Sequence, residues 1–224
     1  MTLRRWSLIA IVAGLVGCRD FVAPPTGPDA TRMPLALSAD VTIPPTPASM
    51  PSTPVSFDIL RQAPGAPRLE TYEASFWAVD GQASGVTVNY LPAPGELVGQ
   101  PFLRFDIPKN AMVASVSGAR VRRGDSVLVT VLIDRETFTV DFQPSGLVFS
   151  NGSPARLTIW YENADLDYNH DGVVDSTDTQ LQQDVGLWFH AGSMRWVPMP
   201  SANDPTLPSV STALYHFSEY AVSW

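Results

Sequence analysis

Between Leu69 and Trp224 the chain is cut by turn formers into runs of strand length. The runs are Leu69 to Val79, Val86 to Leu91, Phe102 to Ile107, Ser126 to Ile133, Thr137 to Phe142, Arg156 to Tyr161, Val185 to His190, Arg195 to Pro198 and Val210 to Trp224. Asp80-Gly81, Pro92 to Gly95, Pro108-Lys109-Asn110, Arg123-Gly124-Asp125, Pro144-Ser145-Gly146 and Asn151-Gly152 separate them. Val127 to Val131 and Phe138 to Phe142 are rich in β-branched and aromatic residues, as half-buried or two-sided strands require. Only Ser176 to Gln183 carries a helical pattern. Many short strands at this spacing predict an all-β fold, a mostly antiparallel β-sandwich with one short helix-bearing insertion.

The sequence has a single cysteine, Cys18. It stands at the end of a segment with the anatomy of an export signal: a basic start at Arg4-Arg5, then an apolar stretch from Ser7 to Val16 that is too short to span a bilayer as a stable helix. Leu15-Val16-Gly17-Cys18 resembles the lipobox of bacterial lipoproteins. That resemblance implies cleavage after Gly17 and a diacylglyceryl thioether on Cys18, whose N-acylated form carries three fatty acyl chains of the palmitate kind. Each buried methylene contributes about 0.8 kcal/mol, so such an anchor is effectively permanent. With Cys18 lipidated no thiol remains, and neither disulfides nor thiolate metal sites can staple the fold. Arg19, where retention at the inner membrane would call for aspartate, points to the outer membrane of the cell envelope.

Loss of residues 1–17 would remove Arg4 and Arg5 and no acid, leaving 12 basic residues against 22 acidic ones, a formal charge of −10. Such a surface repels nucleic acid and attracts divalent cations. Residues 18–56 are crowded with Pro, Thr, Ser and Ala, as in Ile43-Pro44-Pro45-Thr46-Pro47, and bury too little apolar surface to offset their ordering entropy. They read as a semi-extended tether. Residues 57–224 are one domain's worth of chain, long enough for a sizeable core.

Several pieces of that domain resemble, in order, successive strands of the ZU-five domain, the β-sandwich shared by ankyrins and netrin receptors. They are Ile107-Pro108-Lys109-Asn110-Ala111-Met112, Gly124 to Val131, Pro144-Ser145-Gly146-Leu147-Val148-Phe149, Ala155 to Ile159, Trp196-Val197-Pro198 and His216 to Val222. The resemblance covers about residues 102–224 and implies a scaffold or interaction module without a shared enzymatic activity. Residues 57–101 fall outside it and are expected to add strands to the same sandwich.

Asp167-Tyr168-Asn169-His170-Asp171-Gly172-Val173-Val174-Asp175-Ser176-Thr177-Asp178 follows the spacing of an EF-hand-type calcium loop. Oxygens at its first, third and fifth positions (Asp167, Asn169, Asp171) reach one side of a hard cation, and Gly172 permits the turn that aims the Val173 carbonyl inward. Asp175 then acts directly or through water, Asp178 closes the shell, and Val174 is expected to point into the core. Aspartate at the twelfth position, followed by Thr179-Gln180-Leu181, resembles one half of a dockerin repeat. Dockerins carry two such loops; this chain has one, preceded by a strand, so the expectation is a calcium-clipped insertion and not cohesin binding. His170 occupies an outward-pointing loop position.

His216-Phe217-Ser218 invites a second reading, because relatives of this sandwich in death-domain and inflammasome proteins cut themselves between Phe and Ser at such a motif. By that resemblance Ser218 is the nucleophile and His216 a candidate base; the alternative is a plain strand pattern with Phe217 in the core. A third reading takes Trp77, Trp160, Trp188 and Trp196 as a sugar-stacking platform, although aromatics on separate strands more commonly fill a sandwich core. His190 alternates with Trp188 and has no companion cluster, and Glu70, Glu73 and Glu96 have no defined separation that would make them an acid/base pair. The expectation is therefore a membrane-anchored, non-enzymatic surface module for structure or interaction with a protein or glycan partner, stabilised by one calcium ion, with an autoproteolytic sandwich or a glycan-binding domain as alternatives.

Overall fold

A computed structural model of the chain describes residues 57–192 and 195–224. The expected export segment 1–17, the expected lipidation site Cys18 and the expected tether 18–56 lie outside the described residues. No helix among the described residues is long and apolar enough to cross a membrane.

The strands are β1 (Glu73–Val79), β2 (Ser84–Asn89), β3 (Pro101–Ile107), β4 (Met112–Ala114), β5 (Ser126–Ile133), β6 (Thr139–Gln143), β7 (Val148–Phe149), β8 (Ala155–Trp160), β9 (Gly186–His190), β10 (Trp196–Pro198), β11 (Ser201–Asp204), β12 (Ser209–Leu214) and β13 (Glu219–Ser223), with one helix, α1 (Ser176–Asp184), between β8 and β9. They form a six-stranded sheet in the order β1-β5-β6-β13-β9-β10, a five-stranded sheet in the order β11-β12-β8-β3-β2, and a small β4-β7 ladder. Every pairing between strands in these sheets is antiparallel. The all-β, antiparallel sandwich-like class expected from the turn spacing is what the chain adopts.

Period-two patterning explains why the two large sheets face each other. In β5 Val129, Val131 and Ile133 are buried while Leu128 and Leu132 face out; in β8 Ala155, Leu157 and Ile159 are fully buried. Aromatic rings then bridge the layers. Phe105 of β3 lies 4.6 Å, centroid to centroid, from Phe142 of β6, and Phe217 sits 5.6 Å from Phe105 and 5.2 Å from Phe142. A side chain of this kind contributes about 1.5–3 kcal/mol when fully buried, so this thiol-free domain is held by its apolar interior.

Two differences from the sequence expectation have a common cause. Val210 to Trp224 reads as one run but is two strands, because β12 belongs to the five-stranded sheet and β13 to the six-stranded one. Residues 215–218 carry the chain across the sandwich, burying Phe217 on the way. Leu69 to Tyr72 likewise precedes β1 proper; Leu69 makes a single bridge to Tyr90 instead.

Candidate functional site

The crossover from β8 to β9 carries the Asp167 to Asp178 segment. Its entry is fixed by the main chain: Ala164 N–H donates to Tyr161 O at 3.0 Å and Asp165 N–H to Arg61 O at 2.9 Å. Tyr168 is then driven into the interior, 2% exposed, its ring edge-on to Trp224 with centroids 5.3 Å apart. Burial pushes its phenol well above the usual tyrosine range, and the hydroxyl has no hydrogen-bond partner among the described residues.

Beyond Tyr168 the backbone curls through two left-handed residues, His170 (φ 57°) and Gly172 (φ 87°). A glycine tolerates that conformation without cost, and a histidine is among the few other residues that adopt it with any frequency. The curl puts the odd-numbered side chains on a common inner side. Asp167 accepts from the N–H groups of Asp171 (Oδ1, 3.1 Å) and Gly172 (Oδ2, 2.9 Å), and Asn169 Oδ1 accepts from Asp171 N–H at 3.0 Å. Asp171 Oδ1 accepts from Val173 N–H at 2.8 Å, and its Oδ2 from the Asn169 side-chain amide at 2.9 Å.

The other two acids of the segment start the helix. Asp175 is the N-cap of α1 and accepts from Thr177 N–H at 2.6 Å. Asp178, three residues on, completes a capping box by accepting from Asp175 N–H at 2.8 Å. Its other oxygen reaches back across the loop to the N–H groups of Tyr168 (2.7 Å) and Asn169 (3.2 Å). The Asp175 N–H leads the interactions that hold the Asp178 carboxyl below the usual carboxylate range, with those of Asn169 and Tyr168 adding to it against the opposing effect of burial. Leu181 is the one apolar residue in α1. The helix therefore depends on its cap and on Asn203, whose side-chain amide donates to the carbonyls of Gln182 (2.8 Å) and Gln183 (3.3 Å).

All six expected ligands thus lie in one short loop, and the donor set is carboxylate, amide and main-chain oxygen, which suits a hard cation. Asp167, Asn169 and Asp171 are brought together. Asp175 and Asp178 are turned to the helix start, and among the described residues no three His, Cys, Asp or Glu side chains are gathered closely enough to hold a metal by themselves. The expectation for Val174 is overturned: it is 60% exposed, because Tyr168 at the second position fills the space beneath the loop against Trp224. His170 does point outward, with Nε2 3.4 Å from Asp58 Oδ2.

At the His216-Phe217-Ser218 site the Ser218 hydroxyl donates to the His190 carbonyl at 2.9 Å, and no imidazole reaches it. His216 Nδ1 instead lies 3.4 Å from the Phe217 carbonyl oxygen, which also accepts from Gly146 N–H at 3.1 Å. Phe217 and Ser218 have no left-handed backbone angle. Phe217 is 1% exposed at the centre of the aromatic bridge, as the strand-pattern reading has it, but the motif lies in the crossover between β12 and β13 and Ser218 is half-buried rather than facing water.

The tryptophans depart from the core role expected of them. Trp77 is 63% exposed on the outer side of β1, and Trp160, Trp188 and Trp196 are half-buried outside the core. Phe57 stacks on Trp196 at 5.3 Å and meets Trp188 edge-on at 5.0 Å, with the His190 ring 5.1 Å from Trp196. Sequence reasoning missed this cluster, since nothing in the pattern around Phe57 signals that it returns to β9 and β10. His190 Nδ1 lies 3.5 Å from Glu219 Oε2. Glu70 and Glu96 accept main-chain hydrogen bonds from Asn89 and Ala93, and Glu73 is exposed at the start of β1. Compared with protein-family models, with curated proteins and with solved structures, the chain matches none.

Proposed function

We propose that the chain is a lipid-anchored, non-enzymatic module of the bacterial cell envelope, tethered from Cys18 and stiffened by one calcium ion in the 167–178 loop. The observation that carries the calcium reading is the inward curl at His170 and Gly172, which directs oxygens of Asp167, Asn169 and Asp171 to one side. The Val173 carbonyl, Asp175 and Asp178 complete the donor set. Calcium supplies the positive charge that four carboxylates within twelve residues otherwise lack. The loop is part of the sandwich's own packing through Tyr168, so what orders it also stiffens the β8–β9 crossover.

Against the self-cleavage alternative stands the engagement of the Ser218 hydroxyl with the His190 main-chain carbonyl. The outer membrane is the favoured location, and the partner is a protein or glycan at the surface. Glycan recognition has a specific observation behind it as a second reading: the exposed Trp77 on β1 and the half-buried Phe57-Trp188-Trp196 cluster, at the two edges of the six-stranded sheet. A glycan array read with the Trp77→Ala and Trp196→Ala variants separates the two, since selective binding lost in those variants belongs to the glycan reading alone.

The calcium reading is tested by thermal unfolding of the full-length protein at increasing calcium. A ligand a hundredfold above its Kd adds about 2.7 kcal/mol, several degrees in Tm for a domain of this size. The Asp167→Ala variant is expected to lose that shift. An unchanged Tm at millimolar calcium removes the metal from the account.

A further inference from the structure

Residues 57–224 hold 19 Asp and Glu against 10 Lys and Arg. Three of those ten cations line one cavity. Arg61, Arg68 and Arg135 surround it together with Tyr72, Gln62 and Glu136, and its volume is about 420 Å³.

Local folding explains the convergence. The chain at 59–62 runs antiparallel past three other segments, with bridges from Ile59 to Ser223, Arg61 to Thr137 and Gln62 to Ala164. Gln62 N–H donates to Glu136 O at 2.8 Å, which sets Arg61 beside the β5–β6 hairpin that carries Arg135. A turn closed by Ala66 N–H to Ala63 O (3.0 Å), with Gly65 at φ 88°, then reverses the chain. Arg68 returns to the same side, its carbonyl accepting from Leu91 N–H at 2.7 Å. Tyr72 is pinned by Ile133 N–H to its carbonyl, and the Arg135 guanidinium carbon stands 4.5 Å from the Tyr72 ring centroid. That stacking holds the cation in place without consuming its N–H donors.

Among the described residues none of the three makes an ion pair, although Glu136 shares the lining. The ion pairs among the described residues are Arg104 with Asp106, His170 with Asp58 and His190 with Glu219. Arg104 is also the one arginine whose side chain donates a hydrogen bond there. Each guanidinium in the cavity thus presents five N–H donors in a planar fork, the geometry that pairs two-pronged with phosphate or carboxylate oxygens. Like charges facing one cavity repel, and a bound anion relieves that repulsion; the cavity lined by Arg120, Arg122 and Arg123 differs in holding Asp80 and in lacking an aromatic ring under a guanidinium. We infer that this cavity is a binding site for a small ligand carrying two or more negative charges on phosphate or carboxylate groups. The proposal is independent of the calcium loop.

The test is calorimetric titration of the full-length protein, in an uncharged detergent and calcium-free buffer, with inorganic pyrophosphate and separately with citrate. Binding of either at one per chain is expected, weakened as salt is raised. Pyrophosphate alone identifies a phosphoryl ligand, citrate alone a carboxylate one, and both a site that reads charge and shape. Arg61→Gln and Arg68→Gln should each weaken binding at least about tenfold. Both residues are exposed and make no side-chain hydrogen bond among the described residues, so unchanged melting of these variants is the folding control. The double variant Arg122→Gln/Arg123→Gln changes more charge at a different cavity and should leave the affinity unaltered. Binding of neither anion, or equal weakening by the Arg122/Arg123 pair, overturns the proposal.

Discussion

Carboxylates in this domain work chiefly by collecting main-chain N–H groups. Asp178 accepts from three, and Asp134 accepts from Glu136 (2.9 Å) and Thr137 (2.8 Å) as well as from the Thr137 hydroxyl. Burial tends to raise the Asp134 pKa, but the N–H groups of Glu136 and Thr137 outweigh it and hold the carboxyl below the usual range. Its contribution to stability is therefore complete above the ordinary carboxylate value of about 4 and is lost as the pH falls from there through the lowered folded-state value. Asp134→Ala should cost about 1 kcal/mol at neutral pH, a modest figure because solvent reaches the group, and the wild-type and variant urea curves should converge in acid. Phe217→Ala is expected to cost about 3–5 kcal/mol, because it removes a ring packed on Phe105, Phe142 and Phe149. A loss under 1 kcal/mol in equilibrium unfolding would contradict the place given to that ring. The sequence made Asp167, Asn169, Asp171 and Gly172 legible because a loop of this kind constrains its spacing. It misplaced Val174 and the tryptophans, because which apolar side chain fills a gap depends on neighbours distant in sequence, here Trp224 and Phe57.

Strands with β-branched or aromatic alternation were readable as such, and β5 begins and ends where its composition changes, at Ser126 and Ile133. Less was readable where pairing alone makes the strand. Ser201–Asp204 contains no β-branched or aromatic residue and is extended because it pairs along β12 at the sheet edge. Met112–Ala114 and Val148–Phe149 are too short for any period to register. The β12–β13 boundary was invisible for a different reason: Val210, Thr212 and Leu214 are buried, Tyr220 to Ser223 are buried again, and Tyr215 to Ser218 contains no Gly, Pro, Asn or Asp to mark the change of sheet. Close approach of β2 to β3 adds a constraint at Gly85, where a Cβ would stand 2.4 Å from the Phe105 carbonyl oxygen. Gly85→Ala should destabilise the domain by about 1–3 kcal/mol, with early hydrogen exchange along β2. Unaltered exchange there would mean that the sheet edge yields without cost.

At the scale of the whole molecule the acidic surface, the lack of thiols in the described domain and the aromatic bridge between sheets belong together. Without disulfides, stability rests on the interior, and the excess of carboxylates favours a cation that can draw some of them together. The loop reports to the end of the chain, since Tyr168 and His170 both face Trp224, with ring centroids 5.3 Å and 6.3 Å away. Cys18 and residues 19–56 lie outside the described residues, so the proposed anchor has to be read from the mature protein itself. Native mass spectrometry of the protein released from membranes in calcium-containing buffer does this in one spectrum. A single uncut species from Cys18 to Trp224 bearing three acyl chains and one calcium ion is expected. An unacylated N-terminus, loss of the fragment Ser218 to Trp224, or a lipidated chain that retains no calcium would contradict it.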